Sequence, residues 1–296
     1  VVIIGSGPAG ITAAIYAKRA NLNVAVVEKE YLGTGQIAES SRVDNYPGIP
    51  GIDGYSLGEK FREHAESLGV EFTEAQVLSL GQKDGIWIIG CDEDITLESK
   101  AVIYATGCKN RPLGVPGEEK YYGRGLSFCA VCDGAFYKGK RVAVIGGGDT
   151  ALDDAMYLSD ICEKVYLVHR REFFRGSAST LEKLKQKENV EIIVNARVEE
   201  ITGDKKIDGI ILDNKTKLNI SGLFAAVGMI PQTELLKEFG VLDESNYVKA
   251  SEDTKTTVNG LFAAGDVRTK QLRQVVTAAA DGANAIYSVM EYLRNI

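Results

Sequence analysis

The sequence predicts an α/β protein of two three-layer domains, the second inserted into the first, and three observations carry that reading. A strand, a glycine-rich turn, a helix and a second strand follow one another within about 30 residues at the start of the chain, the span of a dinucleotide-binding unit. The same succession recurs in mid-chain. Apolar segments that end in glycine then echo one another further along. The length of 296 residues suits about two domains.

The elements follow in order. Val1-Val2-Ile3-Ile4 reads as a strand running into Gly5-Ser6-Gly7-Pro8-Ala9-Gly10, with an alanine-rich helix pattern from Ile11 to Arg19 and a second strand, Val24 to Val27, ending at Glu28. A helix-like run covers Leu57 to Leu68. In mid-chain, Arg141 to Ile145 runs into Gly146-Gly147-Gly148-Asp149-Thr150-Ala151, followed by a helix pattern and the strand Val165 to Val168. Both successions have the Rossmann-like form. The later echoes are Ala101 to Gly107, Leu223 to Gly228 and Gly260 to Asp266. We read residues 1–111 and 239–296 as one discontinuous domain and 112–238 as the inserted one. The turn chemistry of Gly114-Val115-Pro116-Gly117 marks the first crossing, and Phe239-Gly240 the second.

Composition narrows the function classes. The net charge of −7 argues against broad nucleic-acid binding, which calls for a basic footprint. No apolar run approaches the ~20 residues a membrane-spanning helix needs. The opening reads as a strand and not as a signal peptide. The cysteines are Cys91, Cys108, Cys129, Cys132 and Cys162, an odd number with one close pair. That pattern is no disulfide scaffold and fits a reducing, cytoplasmic setting. His64 and His169 are the only histidines, which excludes a histidine-rich metal site. His64 reads as a surface residue, and Cys91, Cys108 and Cys162 as small packing residues.

The two glycine turns differ where their ligands must differ. In each, glycine lets backbone approach a pyrophosphate, and the following helix offers free N–H groups with a partial positive charge. Glu28 lies 23 positions after Gly5, where an acid accepts hydrogen bonds from a free ribose 2′-hydroxyl. His169 lies 23 positions after Gly146, followed by Arg170 and Arg171, with Arg175 close by. Arginines pair bidentately with phosphate, so this turn prefers a 2′-phosphate. One nucleotide without the 2′-phosphate and one with it are met by FAD and NADPH. Cys129-Ala130-Val131-Cys132 is half of a zinc site, an inert pair or a redox dithiol. Structural zinc takes four ligands, and no second pair exists, so the redox reading stands ahead. Two intervening residues keep both sulfurs within bonding distance: one thiolate attacks an outside disulfide and the other resolves the mixed disulfide. Asp133 is the nearest acid able to protonate a leaving thiolate.

The order of these motifs resembles the low-molecular-weight thioredoxin reductases of bacteria along essentially the whole chain. The matching elements are the Gly5 to Gly10 loop, Gly35-Gln36, Asn45-Tyr46-Pro47-Gly48, Ala105-Thr106-Gly107, Cys129 to Asp133, the second glycine loop, His169-Arg170-Arg171 with Arg175, Gly265-Asp266 and Arg273-Gln274. The resemblance implies an NADPH-dependent flavoprotein disulfide reductase, usually a homodimer, that reduces oxidised thioredoxin. It implies FAD held by Gly5, Gly7, Pro8, Ala9, Gly10, Glu28, Gly35, Gln36, Asn45, Ala105, Thr106, Gly107, Gly265, Asp266, Arg273 and Gln274. NADPH would lie on Gly146, Gly148, Asp149, Thr150, His169, Arg170, Arg171 and Arg175. It also implies that Cys132 faces the flavin, Cys129 attacks the partner, Asp133 donates the proton, and Arg124 and Phe136 meet thioredoxin. Thr150 stands where serine is common, Asp153-Asp154 where glutamates are common, and Ala135 where some members are aromatic. Because the CxxC precedes the strand that feeds the second glycine turn, we expect the two domains to rotate between half-reactions. Four other readings are a ferredoxin-type NADPH reductase, the reductase of a peroxide-reducing system, a dithiol oxidase and a nucleotide-sensing module. The CxxC opposes the first and the last, chain length the second, and the arginine cluster the third. The absence of any histidine after His169 excludes the histidine–glutamate pair of the larger disulfide reductases.

Overall fold

The computed structural model describes residues 1–30, 34–40 and 42–296. The chain forms two compact units, Val1–Lys109 with Ile230–Ile296, and Asn110–Met229.

The first unit is built on a parallel sheet of β1 (Val2–Ile4), β2 (Ala25–Glu28), β3 (Glu71–Glu74), β7 (Val102–Tyr104) and β18 (Leu261–Ala263), in the order β18-β7-β1-β2-β3. Successive side chains of a strand point to opposite faces, so each strand feeds two layers. Ile3, Val26, Ile103 and Phe262 pack on one face with α1 (Pro8–Arg19) and α6 (Val275–Arg294). Val2, Ile4, Val27, Val102, Tyr104, Leu261 and Ala263 pack on the other, beneath an antiparallel meander of β4 (Val77–Lys83), β5 (Ile86–Cys91) and β6 (Thr96–Ser99). Trp87 of β5 is wholly buried there, 5.5 Å from the Phe239 ring.

The helix α1 buries a face of small residues, Ala9, Ala13, Ala14 and Ala17. Pro8 starts it with a preset φ, and Lys18 and Arg19 sit at its negative end. The small face is what lets α6 come close: a Cβ on Gly282 would lie 2.2 Å from the Ala9 carbonyl oxygen. Enlarging Ala13 would overpack this seam at a cost of about 1–3 kcal/mol. The helix α2 (Gly54–Ser67) starts where Asp53 accepts from the Ser56 N–H at 2.9 Å. His64 is exposed on it.

The second unit repeats the plan. Its sheet is β12-β11-β10-β16-β9, from β9 (Leu126–Ser127), β10 (Arg141–Gly146), β11 (Lys164–His169), β12 (Val190–Val194) and β16 (Gly222–Ala226). Val142, Val144, Val165, Leu167 and Phe224 face α4 (Asp149–Ile161) and Leu184 of α5 (Ala178–Lys185). Ala143, Ile145, Val168, Leu223 and Ala225 face a second meander, β13 (Val198–Thr202), β14 (Gly209–Leu212) and β15 (Lys217–Asn219). Both units therefore have the three-layer α/β form expected from sequence, with a meander, which the sequence reading did not name, as the third layer.

The chain leaves the first unit within β8 (Cys108–Asn110) and returns within β17 (Met229–Pro231). Both crossings precede the positions expected from turn chemistry. The Gly114 to Gly117 stretch belongs to the second unit: Val115 is buried in its core, and Glu118 accepts from the Leu113 and Val115 N–H groups. The second crossing lies nine residues before Phe239, because Leu235, Leu236 and Phe239 pack in the first unit's core beside Trp87.

Candidate active site

The first glycine loop is shaped by contacts that exclude side chains. A Cβ on Gly5 would meet the Ala105 carbonyl oxygen at 2.6 Å, and one on Gly10 would meet the Gly5 carbonyl oxygen at 1.9 Å. Gly7 caps α1 without a side-chain hydrogen bond, and Pro8 has no N–H, so the first amides of the helix, those of Ala9 and Gly10, are left to a ligand. Gly35, at φ +75°, lies against it, with a Cβ position 3.3 Å from the Gly7 Cα, and half-buried Gln36 follows in the same 3-10 turn. Glu28 closes the loop: its Oε2 accepts from the Ser6 N–H at 2.9 Å and the Ser6 hydroxyl at 3.0 Å.

Residues distant in sequence converge in this unit. Asn45 donates to the Gln274 side-chain oxygen at 2.7 Å, and Gln274 caps α6 in a capping box with Thr277. Thr106 donates from its hydroxyl to the Gln232 carbonyl, at 2.7 Å, between Ala105 and the left-handed Gly107. Gly265, at φ +81°, donates its N–H to Asp281 at 2.8 Å. The Arg273 guanidinium donates to the Asp266 backbone carbonyl at 3.2 Å and lies 4.1 Å over the Tyr247 ring. The side chain of Asp266 is the one charged group among three that are left unsatisfied in the described residues, beside the Thr34 hydroxyl and the Trp87 ring nitrogen: its buried Oδ1 has no hydrogen-bond partner. Burial pushes its carboxyl up to about 6, against the pull of Lys270 and Arg273. An orphaned acid, bare helix amides and a loop with no room for side chains at Gly5 and Gly10 fit a bound dinucleotide that brings its own donors.

The second loop uses the same backbone device with other neighbours. A Cβ on Gly146 would meet the Ala226 carbonyl oxygen at 2.4 Å, whereas Gly148 faces open space at the start of α4. His169 is buried. Its ring fills the place a Gly147 Cβ would take, at 2.2 Å, and stacks at 4.8 Å from Phe174. Its Nε2 is hydrogen-bonded to the Phe173 carbonyl at 3.2 Å, and burial, followed by the nearby arginines, holds the imidazole below its ordinary pKa. His169 thus shapes the loop, while Arg170, Arg171 and Arg175 are exposed. The arginine segment is docked on the glycine turn: the Arg175 N–H donates to the Gly147 carbonyl at 2.7 Å, and the Ser177 N–H to the Asp149 carboxylate at 2.7 Å. Thr150 is exposed in the first turn of α4. The cluster of exposed cations beside bare helix amides fits a nucleotide with an additional phosphate.

The redox turn follows β9. Cys129 and Cys132 are joined in a disulfide with Cα atoms 5.3 Å apart. Cys129 caps the short helix α3 (Ala130–Asp133), its sulfur accepting from the Cys132 N–H at 3.2 Å. Val131 between them is 63 % exposed, so the turn is open to a macromolecule. Arg124, Ala135 and Phe136 are exposed as well. Burial holds the Asp133 carboxyl above its ordinary value, opposed by a hydroxyl donor, Ser127, at 2.6 Å. The other cysteines, Cys91, Cys108 and Cys162, are free and buried. Burial pushes Cys108 up to about 12 and Cys162 to about 11, which keeps them as inert thiols. Among the described residues no cluster suits a metal ion.

Sequence reasoning missed Ser127, Ser6 and the buried cluster of Arg268, Lys270 and Asp281. Ser6 stands inside the glycine loop and was open to notice. The others are joined by folding alone, with no local spacing to mark them.

The chain matches the profile of the pyridine nucleotide-disulphide oxidoreductases over residues 1–282. It is 38 % identical to the thioredoxin reductase of Bacillus subtilis over its whole length and 95 % of that protein. It is 39 % identical, across 99 % of its length and 96 % of the relative, to a 34.2 kDa protein in the rubredoxin operon of Clostridium pasteurianum. Among solved structures it resembles the thioredoxin reductase of Streptococcus pyogenes with a TM-score of 0.93 and 40 % identity, covering 100 % of this chain and 98 % of that one.

Proposed function

The chain belongs to the pyridine nucleotide-disulphide oxidoreductase family, and from that premise we propose that it is an NADPH-dependent flavoprotein that reduces the disulfide of thioredoxin. The observation that carries the reading is the Cys129–Cys132 disulfide on an exposed turn beside the half-buried acid Asp133. The names of its full-length relatives supply the substrate.

The first unit would hold FAD, with Glu28 toward a ribose hydroxyl, the amides of α1 at the pyrophosphate, and Asp266, Arg273, Gln274 and Asn45 around the remainder. The second would hold NADPH, its 2′-phosphate on Arg170, Arg171 and Arg175. Bound FAD supplies the means of taking a hydride from NADPH and passing an electron pair to a disulfide. The protein's own sulfurs do the rest. The Cys129 thiolate attacks one sulfur of the thioredoxin disulfide and expels the other as a thiolate. Cys132 then attacks Cys129, releasing reduced thioredoxin and restoring the internal disulfide. Asp133, kept protonated to higher pH by burial, donates a proton to the departing sulfur. The same reading has the two units rotate between half-reactions, the protein act as a homodimer, and the cytoplasm as its setting.

The test is NADPH oxidation with thioredoxin, comparing the reconstituted wild type with Cys129→Ser. Loss of thioredoxin reduction with flavin bleaching by NADPH intact is the expected result. Equal thioredoxin turnover in both removes the disulfide from the mechanism, and a colourless reconstituted protein removes the flavin.

A further inference from the structure

We propose that Ser127 is a positioning residue for the proton carried by Asp133, tying that carboxyl to the backbone of the first redox cysteine. The inference rests on the reading of Cys129–Cys132 as the reducing couple and adds to it a group whose place is set by the sheet.

Ser127 ends β9, which pairs in parallel with β16, Ser127 standing opposite Phe224. Its side chain is buried. The hydroxyl oxygen accepts from the Cys129 N–H at 3.1 Å and donates to Asp133 Oδ2 at 2.6 Å, with the Cys129 carbonyl as a longer alternative acceptor at 3.3 Å. The Asp133 N–H returns to that same carbonyl at 3.1 Å. Cys129, Ser127 and Asp133 thus form one closed ring of hydrogen bonds in which a single hydroxyl joins the acid to the disulfide turn.

This wiring assigns the two carboxyl oxygens different tasks. Oδ2 is occupied by Ser127, and Oδ1 accepts no hydrogen bond from a described residue. When the Cys129 thiolate expels one thioredoxin sulfur as a thiolate, the proton on Oδ1 passes to that sulfur: the O–H bond breaks, an S–H bond forms on the thiolate's electron pair, and the carboxylate remains. Ser127 then donates to a charged group, and hydrogen bonds to charged groups are the stronger kind. The hydroxyl can hold Oδ2 in both protonation states, so the carboxyl need not turn as it gives up its proton.

The titratable neighbours do not supply this role. Tyr137, on the turn after Asp133, is itself pushed up by burial and then by Asp133. From α4, Tyr157 lies against Gly134, and Asp154 is one helical turn before it on the same face. Asp149, Asp153 and Asp160 are the other α4 acids, and Lys140, following the turn, donates to the Phe136 carbonyl at 2.9 Å.

Serine stabilises the ionised carboxyl while burial opposes it, so removing the hydroxyl keeps Asp133 protonated to higher pH. In Ser127→Ala, kcat with thioredoxin should fall about tenfold, and the alkaline limb of its pH profile should move up by about one unit. Ser127→Thr should restore both. Independently of turnover, the carboxyl-carbon NMR titration of Asp133 in the oxidised holoenzyme should show the same upward shift in Ser127→Ala. Asp133→Asn separates the two layers of the argument. If Asp133→Asn is slow and Ser127→Ala has the wild-type profile and titration, the role of Ser127 is overturned and the reductase reading stands. If Ser127→Ala is slow with an unshifted titration, Ser127 merely props the turn and the inference fails. If Asp133→Asn matches wild type, Asp133 is not the acid and the inference falls with it.

Discussion

The two units are built on one plan and differ where selectivity demands it. In each, a central strand ends in a glycine pressed against a neighbouring carbonyl, and a helix begins without a side-chain cap. The first loop is closed by Glu28, whose carboxylate gathers the Ser6 amide and hydroxyl. The second is closed by His169, a neutral ring packed under Gly147, with the arginine segment hydrogen-bonded to that glycine's carbonyl. The shared backbone makes a place for any pyrophosphate. In the proposed function, the residue at the end of the second strand, and what it packs against, decides which ribose fits. A second contrast is electrical. The first unit rests the Gly265 turn on a buried charge cluster: Asp281 and Arg268, each 2 % exposed, form a two-pronged pair, and Lys270 joins it at 2.9 Å. The second unit carries Arg170, Arg171 and Arg175 on its surface beside the glycine turn.

Several substitutions break or sharpen that contrast. The largest effect is expected for Asp281→Asn, which leaves a buried guanidinium and ammonium without their carboxylate and should destabilise the protein by about 3–5 kcal/mol. Chemical denaturation would measure it, and FAD retention should fall with it, since the Gly265 amide loses its anionic partner. Next comes Gly10→Ala, whose new carbon would sit 1.9 Å from a backbone oxygen. A loss of about 1–3 kcal/mol and poorer flavin binding are expected, whereas Gly148→Ala, with nothing near its Cβ position, should melt as wild type. Third, replacing Arg170 and Arg171 with alanine should raise KM for NADPH by about tenfold or more with little change for NADH, each lost phosphate contact weighing about 1.5–3 kcal/mol at most.

The smallest effect is a pair of opposite pH dependences. Asp266 has a raised folded pKa, about 6, so between the ordinary carboxylate range and about 6 the apo-protein binds more protons folded than unfolded. Its stability should therefore drop as pH rises through that window. His169 has a lowered folded pKa, so the unfolded chain binds more protons below the ordinary imidazole value. Its contribution should drop as pH falls. Thermal melts of Asp266→Asn and His169→Gln apo-protein across this range should lose slopes of opposite sign, and equal slopes would end the contrast.

How much of this could be read without a structure follows from the range of each interaction. The glycine turns, Glu28, the arginine cluster and the CxxC are local patterns, set by strand and helix periods within some 30 residues, and they were legible. The convergence of Asn45 on Gln274 was reachable only through the family resemblance, since nothing in either residue's neighbourhood points to the other. Ser127 and Asp281 escaped because a buried hydroxyl or carboxylate looks, in sequence, like any surface polar residue. The second crossing was misplaced because turn residues near Phe239 mark a bend, while apolar packing around Trp87 decides which unit owns the segment.

The backbone contact of Gly282 with Ala9 carries a consequence for biosynthesis. A ribosome releases residues 110–229 as one continuous stretch with a complete core of its own, while the opening strand and its helix still lack the seam that only the last segment provides. The inserted unit can therefore mature during translation. The unit that holds β1 must wait for α6, leaving an unfinished parallel sheet exposed in the interval, the stage at which a nascent chain most needs shielding from its neighbours.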